Sequence, residues 1–142
     1  AAAFLRRCGA DITRVRKMFR DDMESYRAKA EAMRKAEVYR KEYAIAECPG
    51  DIESPTVLAA QTANELLDIS GIKASFVLTV YEGKIYLSAR SIDEVNVQII
   101  AEKLGGGGHI NSAGAQFDHT NIQEAISTLK ETIDQMIEEG DI

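Results

Sequence analysis

Gly105-Gly106-Gly107-Gly108-His109-Ile110-Asn111-Ser112-Ala113-Gly114 is the stretch that says most about the fold and the function of this chain. Four consecutive glycines leave the backbone without Cβ atoms, so it can adopt positive φ angles and approach a ligand closely. His109 adds a ring nitrogen whose protonation can be tuned near neutral pH. Together these features predict a site for an anionic group, with phosphate as the favoured candidate.

The surroundings of the glycine run exclude the two standard phosphate loops. The run follows a predicted helix and precedes a predicted strand, whereas the dinucleotide-binding loop leaves a strand and opens a helix. It also lacks the Lys-Ser/Thr ending of a P-loop. The alternative is a helix C-cap at Gly105 followed by a flexible turn, but a cap needs only one glycine. Each further glycine costs about 0.5–1 kcal/mol relative to alanine. We therefore favour a ligand-binding segment formed by Gly106, Gly107, Gly108 and His109, with a surface role as the alternative for the histidine.

Upstream of the run, two strands are predicted at residues 74–81 and 84–89, joined by the two-residue turn Glu82-Gly83. A short strand at 43–46 and a helix opening at Ser54-Pro55 come before them. Asp93 is a candidate cap for the next helix, and a short strand near 115–117 follows the glycines. Thr120 and Gln123 form a predicted capping box for a last helix. The resulting β-α-β-β-α-β-α order predicts an α/β fold, with a small mixed sheet and packed helices.

Residues 1 to about 41 are predicted to be helical and to precede this domain as a connector, so we divide the chain into residues 1–41 and 42–142. An apolar stripe follows the predicted helix at three- and four-residue spacing. It either docks onto the following domain or pairs with another chain or domain. The stripe consists of Phe19, Met23, Tyr26, Ala30 and Met33.

Arg90 is a second candidate site residue, because it lies at a strand-to-helix corner where α/β proteins form ligand sites. Its planar guanidinium suits bidentate phosphate contact, and a solvated arginine is the equal alternative. Ser88 shares the strand face of Arg90 through the two-residue period. Ser91 and Asn96 are polar neighbours that could cap a helix or touch a ligand.

Composition excludes several classes of protein. The net charge of -6 disfavours a general nucleic-acid binder. Two cysteines are too few for a disulfide scaffold and favour a reducing, cytoplasmic compartment. No apolar run reaches the roughly 20 residues that span a bilayer, so we expect no membrane contact by this chain. No nucleophilic triad or metal-ligand spacing is visible, so metal-assisted hydrolysis within this chain alone is not expected. The missing initiator Met suggests a piece of a longer protein.

The segments Ser88-Ala89-Arg90-Ser91, Gly106-Gly107-Gly108-His109 and Ala113-Gly114 resemble the DHH-associated domain of DHH-superfamily phosphoesterases. Ala3-Phe4-Leu5-Arg6-Arg7-Cys8-Gly9-Ala10-Asp11 and Val95-Asn96-Val97-Gln98 narrow the resemblance. They are similar to the C-terminal part of the membrane-bound, GdpP-type cyclic-di-AMP phosphodiesterases. The likeness extends over essentially the whole chain.

This resemblance implies a substrate-binding domain whose partner, a DHH domain upstream of Ala1, binds two Mn²⁺ ions and cleaves cyclic-di-AMP to pApA. It places Arg90 and Gly106 to His109 in contact with the nucleotide, and we add Ser88 and Asn96 to the candidate substrate-binding residues as their polar neighbours. It implies no cofactor and no catalytic residue within this chain, and a membrane anchor elsewhere in the full-length protein. The separated chain should bind weakly, hydrolyse nothing and be prone to form a homodimer through the exposed stripe.

Two alternatives stay open at this stage. One is a single-stranded nucleic-acid module of the kind found in RecJ-like exonucleases, which the acidic balance and the few aromatic residues disfavour. The other is a nucleotide-sensing or dimerisation domain without a catalytic partner.

Overall fold

The computed structural model describes residues 23–93 and 95–140. A six-stranded mixed sheet lies at the centre, with the strand order β1-β2-β3-β4-β6-β5. Strands β2 and β3 are parallel, and the other neighbours are antiparallel. The predicted α/β class, with a small mixed sheet, packed helices and a preceding helix, is confirmed. The helices are α1 (Met23–Arg34), α2 (Pro55–Leu66), α3 (Val97–Lys103) and α4 (Ile122–Glu138). The strands are β1 (Glu37–Tyr39), β2 (Tyr43–Cys48), β3 (Ala74–Tyr81), β4 (Lys84–Ser91), β5 (Gly107–His109) and β6 (Ser112–Phe117).

The sheet separates two apolar cores, because alternate side chains of each strand point to opposite faces. On one face, Phe76 and Leu87 pack with α3 and α4, which contribute Ile100, Leu129 and other side chains. On the other face, Val77 of β3 packs with residues of α1 and α2. On that second face, none of the helices in the described part of the chain packs over β6 and β5. These two strands are therefore left open on one side.

The prediction that residues up to about 41 are helical is wrong at its C-terminal end. Helix α1 ends at Arg34, and Glu37–Tyr39 pairs antiparallel with β2 as strand β1. Val38 and Tyr39 are residues of high strand propensity, and pairing with the edge of β2 outweighs continuation of the helix. Lys130 of α4 holds this strand in place, because its ammonium lies 2.8 Å from the Glu37 carboxylate.

The predicted apolar stripe is not the buried face of α1. Met23 and Tyr26 are 62% and 58% exposed, and Ala30 is exposed as well, whereas Lys29 and Ala32 are buried. Small Ala32 permits close packing against α2, and the Lys29 ammonium reaches Glu65 at 3.0 Å while its aliphatic stem is covered. Met33 is partly buried in this contact. Phe19 lies outside the described residues.

Two helix starts differ from their predictions. Helix α3 is capped by Asn96 and not by Asp93, which confirms the capping role that was one of two predicted for Asn96; its side chain accepts a hydrogen bond from the Ile99 N–H at 3.3 Å. Helix α4 is capped by Asn121, which accepts from the Glu124 N–H at 2.9 Å. An asparagine in extended backbone directly before the first turn satisfies an N–H that a more distant side chain cannot reach.

The reactivity of Cys48 reports on the packing of β2. Cys48 is 1% exposed, and this burial raises the pKa of its thiol. In a Cys8→Ser background, we expect Cys48 to react with a thiol reagent at least about 100-fold more slowly in buffer than in denaturant, since a buried thiol reacts only after the structure opens. Thiol labelling followed by mass spectrometry measures both rates. Equal rates would contradict the burial of this strand.

Candidate functional site

The glycine run begins as a helix cap and continues as a strand. The Gly105 N–H donates to the Glu102 carbonyl at 3.1 Å, and the Gly106 N–H donates to the Ala101 carbonyl at 2.7 Å. Gly105 has a φ of 89° and closes the helix directly after Leu104, as the alternative interpretation, a helix cap, required. The flexible turn of that alternative is absent, because Gly107–His109 forms strand β5 at the edge of the sheet and pairs with β6. Gly105 and Gly106 therefore close the helix, and Gly107 and Gly108 belong to a β-hairpin.

The three glycines before His109 have different surroundings. A Cβ atom added to Gly106 would lie 2.0 Å from the Gly114 carbonyl oxygen, and one added to Gly108 would lie 2.5 Å from the Ser112 carbonyl oxygen. Neither position has room for a side chain. A Cβ atom on Gly107 would meet nothing within 4 Å. Two glycines thus allow β5 to approach β6, whereas Gly107 leaves the sheet surface bare.

The strand register brings most of the predicted site residues onto one surface. His109 pairs with Ser112 of β6, which pairs in turn with Arg90 of β4. Gly107, Gly114 and Ser88 form the adjacent row. Directly paired residues share a face of the sheet, so both rows lie on the side that no described helix covers at β5 and β6. We call this surface the open face. It comprises Ser88, Arg90, Gly107, His109, Ser112 and Gly114.

Arg90 supplies a fixed positive charge on the open face. Its Nη1 donates to the Ala89 carbonyl at 2.9 Å and to the Ala113 carbonyl at 3.4 Å, so the side chain leans from β4 toward β6. The side chain is half-buried, and this burial lowers the pKa of the guanidinium. Among residues 23–93 and 95–140, no carboxylate forms an ion pair with it. A half-buried guanidinium whose partners in the described part of the chain are carbonyl groups favours an anionic ligand.

Across the sheet, Arg90 and His109 are two strands apart, which places their backbones about 10 Å from each other. The imidazole of His109 is exposed. A ligand that lies across β6 can contact both side chains, whereas a single phosphate requires the two side chains to converge. The open face thus suits an extended anionic ligand.

Not every predicted site residue lies on the open face. Asn96 is at the start of α3, where its side-chain oxygen is occupied by the helix cap. Ser112 lies between Arg90 and His109 and is absent from the sequence-based set. The sequence signal that could have identified Ser112 is its alternation with Gly114 and Gln116, which places the three residues on one strand face. That signal can be used only if β6 is known to begin at Ser112.

Within 23–93 and 95–140, there is no group of three or more histidine, cysteine or carboxylate residues that could hold a metal ion. In the same ranges, none of the helices has the length and apolar character needed to cross a bilayer.

The chain is similar in sequence and in fold to known proteins. The sequence is 40% identical over 135 residues to the cyclic-di-AMP phosphodiesterase PdeA of Listeria monocytogenes, covering 94% of this chain and 20% of that protein. It is 40% identical over 143 residues to the cyclic-di-AMP phosphodiesterase GdpP of Bacillus subtilis, covering 99% and 22%. The chain thus spans about a fifth of the length of these relatives.

Among solved structures, an exopolyphosphatase-related protein from Bacteroides fragilis superposes with a TM-score of 0.76 at 20% identity. The superposition covers 85% of this chain and 37% of that one, and it supports the fold. The sequence profile of the DHHA1 domain matches residues 41–138, which include all six residues of the open face. The chain therefore belongs to the DHHA1 domain family.

Proposed function

We propose that this chain is the substrate-binding domain of a metal-dependent phosphodiesterase that hydrolyses cyclic-di-AMP to pApA. The observation that carries the proposal is the open face, on which a half-buried guanidinium with no ion pair among the described residues, a bare glycine and an exposed imidazole share two neighbouring rows. The names of the two bacterial relatives supply the substrate class.

The proposal assigns each part of the open face a role. The guanidinium of Arg90 binds a phosphate through paired N–H groups, and Gly107 allows the sugar-phosphate backbone to approach the sheet. His109 contacts the second phosphate or a base. The separation of about 10 Å across β6 lets one dinucleotide reach both side chains.

The cleavage step is assigned to a DHH domain in the same longer polypeptide. That domain would hold two Mn²⁺ ions, which supply the activated water, and this chain alone would hydrolyse nothing. Residues 1–41 would connect the two domains, and the exposed side chains of Met23 and Tyr26 are available for contact with the partner domain. A membrane anchor would lie elsewhere in the full-length protein.

The test is hydrolysis of cyclic-di-AMP by the longer protein with its upstream DHH domain and Mn²⁺. We expect His109→Ala to lower kcat/KM by tenfold or more, because a charge-assisted contact contributes about 1.5–3 kcal/mol. His119→Ala is the matched control, because His119 is exposed beyond the far end of β6 and should leave turnover unchanged.

Two results would count against the proposal in different ways. Wild-type turnover by His109→Ala would contradict the site assignment. Binding of cyclic-di-AMP without hydrolysis by the wild-type protein would contradict the enzyme and favour a nucleotide sensor.

A further inference from the structure

The hairpin that carries His109 has an unfavourable turn. Strands β5 and β6 are joined by only two residues, Ile110 and Asn111, and neither has a positive φ. The other two-residue hairpin, Glu82-Gly83, has φ angles of 52° and 77°. Positive φ at both turn residues matches the natural twist of paired strands, whereas ordinary turns splay them. The β5–β6 turn therefore needs support from outside the hairpin.

That support comes from the connection between β4 and α3. The Asn111 side-chain amide donates to the Ser91 hydroxyl at 2.9 Å and to the Asp93 carbonyl at 3.3 Å. The Ser91 hydroxyl is buried, and it donates its own proton to the Val95 carbonyl at 2.6 Å. Ser91 thus accepts from the turn and donates within the β4–α3 connection, so the donor of the hydroxyl and one of its two acceptor sites are used.

Two backbone hydrogen bonds complete the contact. The Ser91 N–H donates to the Asn111 carbonyl at 3.1 Å, and the Val97 N–H donates to the Ile110 carbonyl at 2.9 Å. Both turn residues are therefore bound to the β4–α3 connection. His109 directly precedes this turn, at the end of a three-residue edge strand. Its position depends on the turn, because so short a strand has few hydrogen bonds of its own.

We infer that Ser91 and Asn111 are positioning residues, which hold His109 in place on the open face through the turn. Neither side chain needs to touch the ligand. The inference rests on the proposed function for its binding measurements. Its structural content, the dependence of β5 on the Asn111–Ser91 hydrogen bond, is independent of the ligand.

The experiment is a double-mutant cycle in the longer protein, with affinity for cyclic-di-AMP and for pApA as the readout. We expect Asn111→Ala to weaken binding by about five- to tenfold, the effect of losing the part-buried hydrogen bond to Ser91. In a His109→Ala background, the same change should weaken binding by less than twofold, because a residue that acts through another has no separate effect. Ser91→Ala should behave in the same way.

Asn121→Ala is the matched control, because it removes an asparagine side chain that also bonds the backbone, at the start of α4. It should lower Tm to a similar extent and leave both affinities unchanged. Equal losses of affinity from Asn111→Ala with and without His109 would overturn the inference. So would a lowered Tm with unchanged affinity.

If the wild-type protein binds neither nucleotide, the proposed function fails and the positioning inference is still decided by NMR. Amide signals of Gly107, Gly108 and His109 should broaden or double in Asn111→Ala but not in Asn121→Ala. Unchanged signals in Asn111→Ala would overturn the inference.

Discussion

Replacing Gly108 with alanine is expected to destabilise the fold by about 2–4 kcal/mol, because overpacking and a strained backbone each cost about 1–3 kcal/mol. The added Cβ would lie 2.5 Å from both the Ser112 carbonyl oxygen and the Ala113 Cα, which are backbone atoms that cannot rotate away. The φ of 149° adds strain for any residue with a side chain. Gly106→Ala should behave similarly, with its Cβ 2.0 Å from the Gly114 carbonyl.

Gly107→Ala is the matched control, one residue away in the same strand. Its Cβ has open space on the open face, so stability should stay the same or rise slightly, since glycine weakens strands. The same methyl group would occupy the surface that the ligand approaches, so affinity for cyclic-di-AMP should fall at least about fivefold, for about 1 kcal/mol of steric cost. Urea unfolding and calorimetric titration separate the two effects. Equal stability of the Gly107 and Gly108 variants would contradict the hairpin described above.

Local signals account for the parts of the fold that the sequence predicted well. The β3–β4 hairpin was predicted because its turn requires only the two residues Glu82 and Gly83 to adopt positive φ. Helix α4 was predicted because its apolar residues recur along one face, and Leu129, Ile133 and Met136 are buried there.

Strands β1 and β5 could not be predicted in this way, because each has three residues and depends on a partner elsewhere in the chain. Gly107 and Gly108 have low strand propensity, and β5 forms because Gly106 and Gly108 have no side chains that would collide with the backbone of β6. For β1, the ion pair of Glu37 with Lys130 joins residues far apart in the sequence.

The same distinction between local signals and distant pairing applies to the candidate site. The shared face of Ser88 and Arg90 followed from alternation within one strand. Placing His109 on that face required the register of β5 with β6 and of β6 with β4. The contact between Ser91 and Asn111 joins two loops, and no periodicity in the sequence indicates it.

Arg90→Ala is expected to have opposite effects on affinity and on stability. Binding of cyclic-di-AMP should weaken by about 12- to 150-fold, which corresponds to the loss of a charge-assisted contact of about 1.5–3 kcal/mol. Stability of the ligand-free protein should stay the same or rise. The substitution removes a half-buried guanidinium that has no ion pair among the described residues, and the energetic cost of desolvating that charge is removed with it. Arg90→Lys should restore only part of the affinity, since an ammonium lacks the planar fork of donors.

Lys84→Ala separates this specific contact from a general effect of charge. Lys84 lies on the same strand and the same face as Arg90, six residues or about 20 Å away. Its replacement by alanine removes the same unit of positive charge as Arg90→Ala. If the arginine acts only by long-range attraction of an anionic ligand, both variants should lose similar affinity relative to the wild type at low salt. Both losses should then shrink as the salt concentration rises, because salt screens the two charges. A direct phosphate contact leaves Lys84→Ala near wild-type affinity at every salt concentration. If Arg90→Ala instead lowers Tm and binds like the wild type, the guanidinium stabilises the β4–β6 pairing and the open face is not the ligand site.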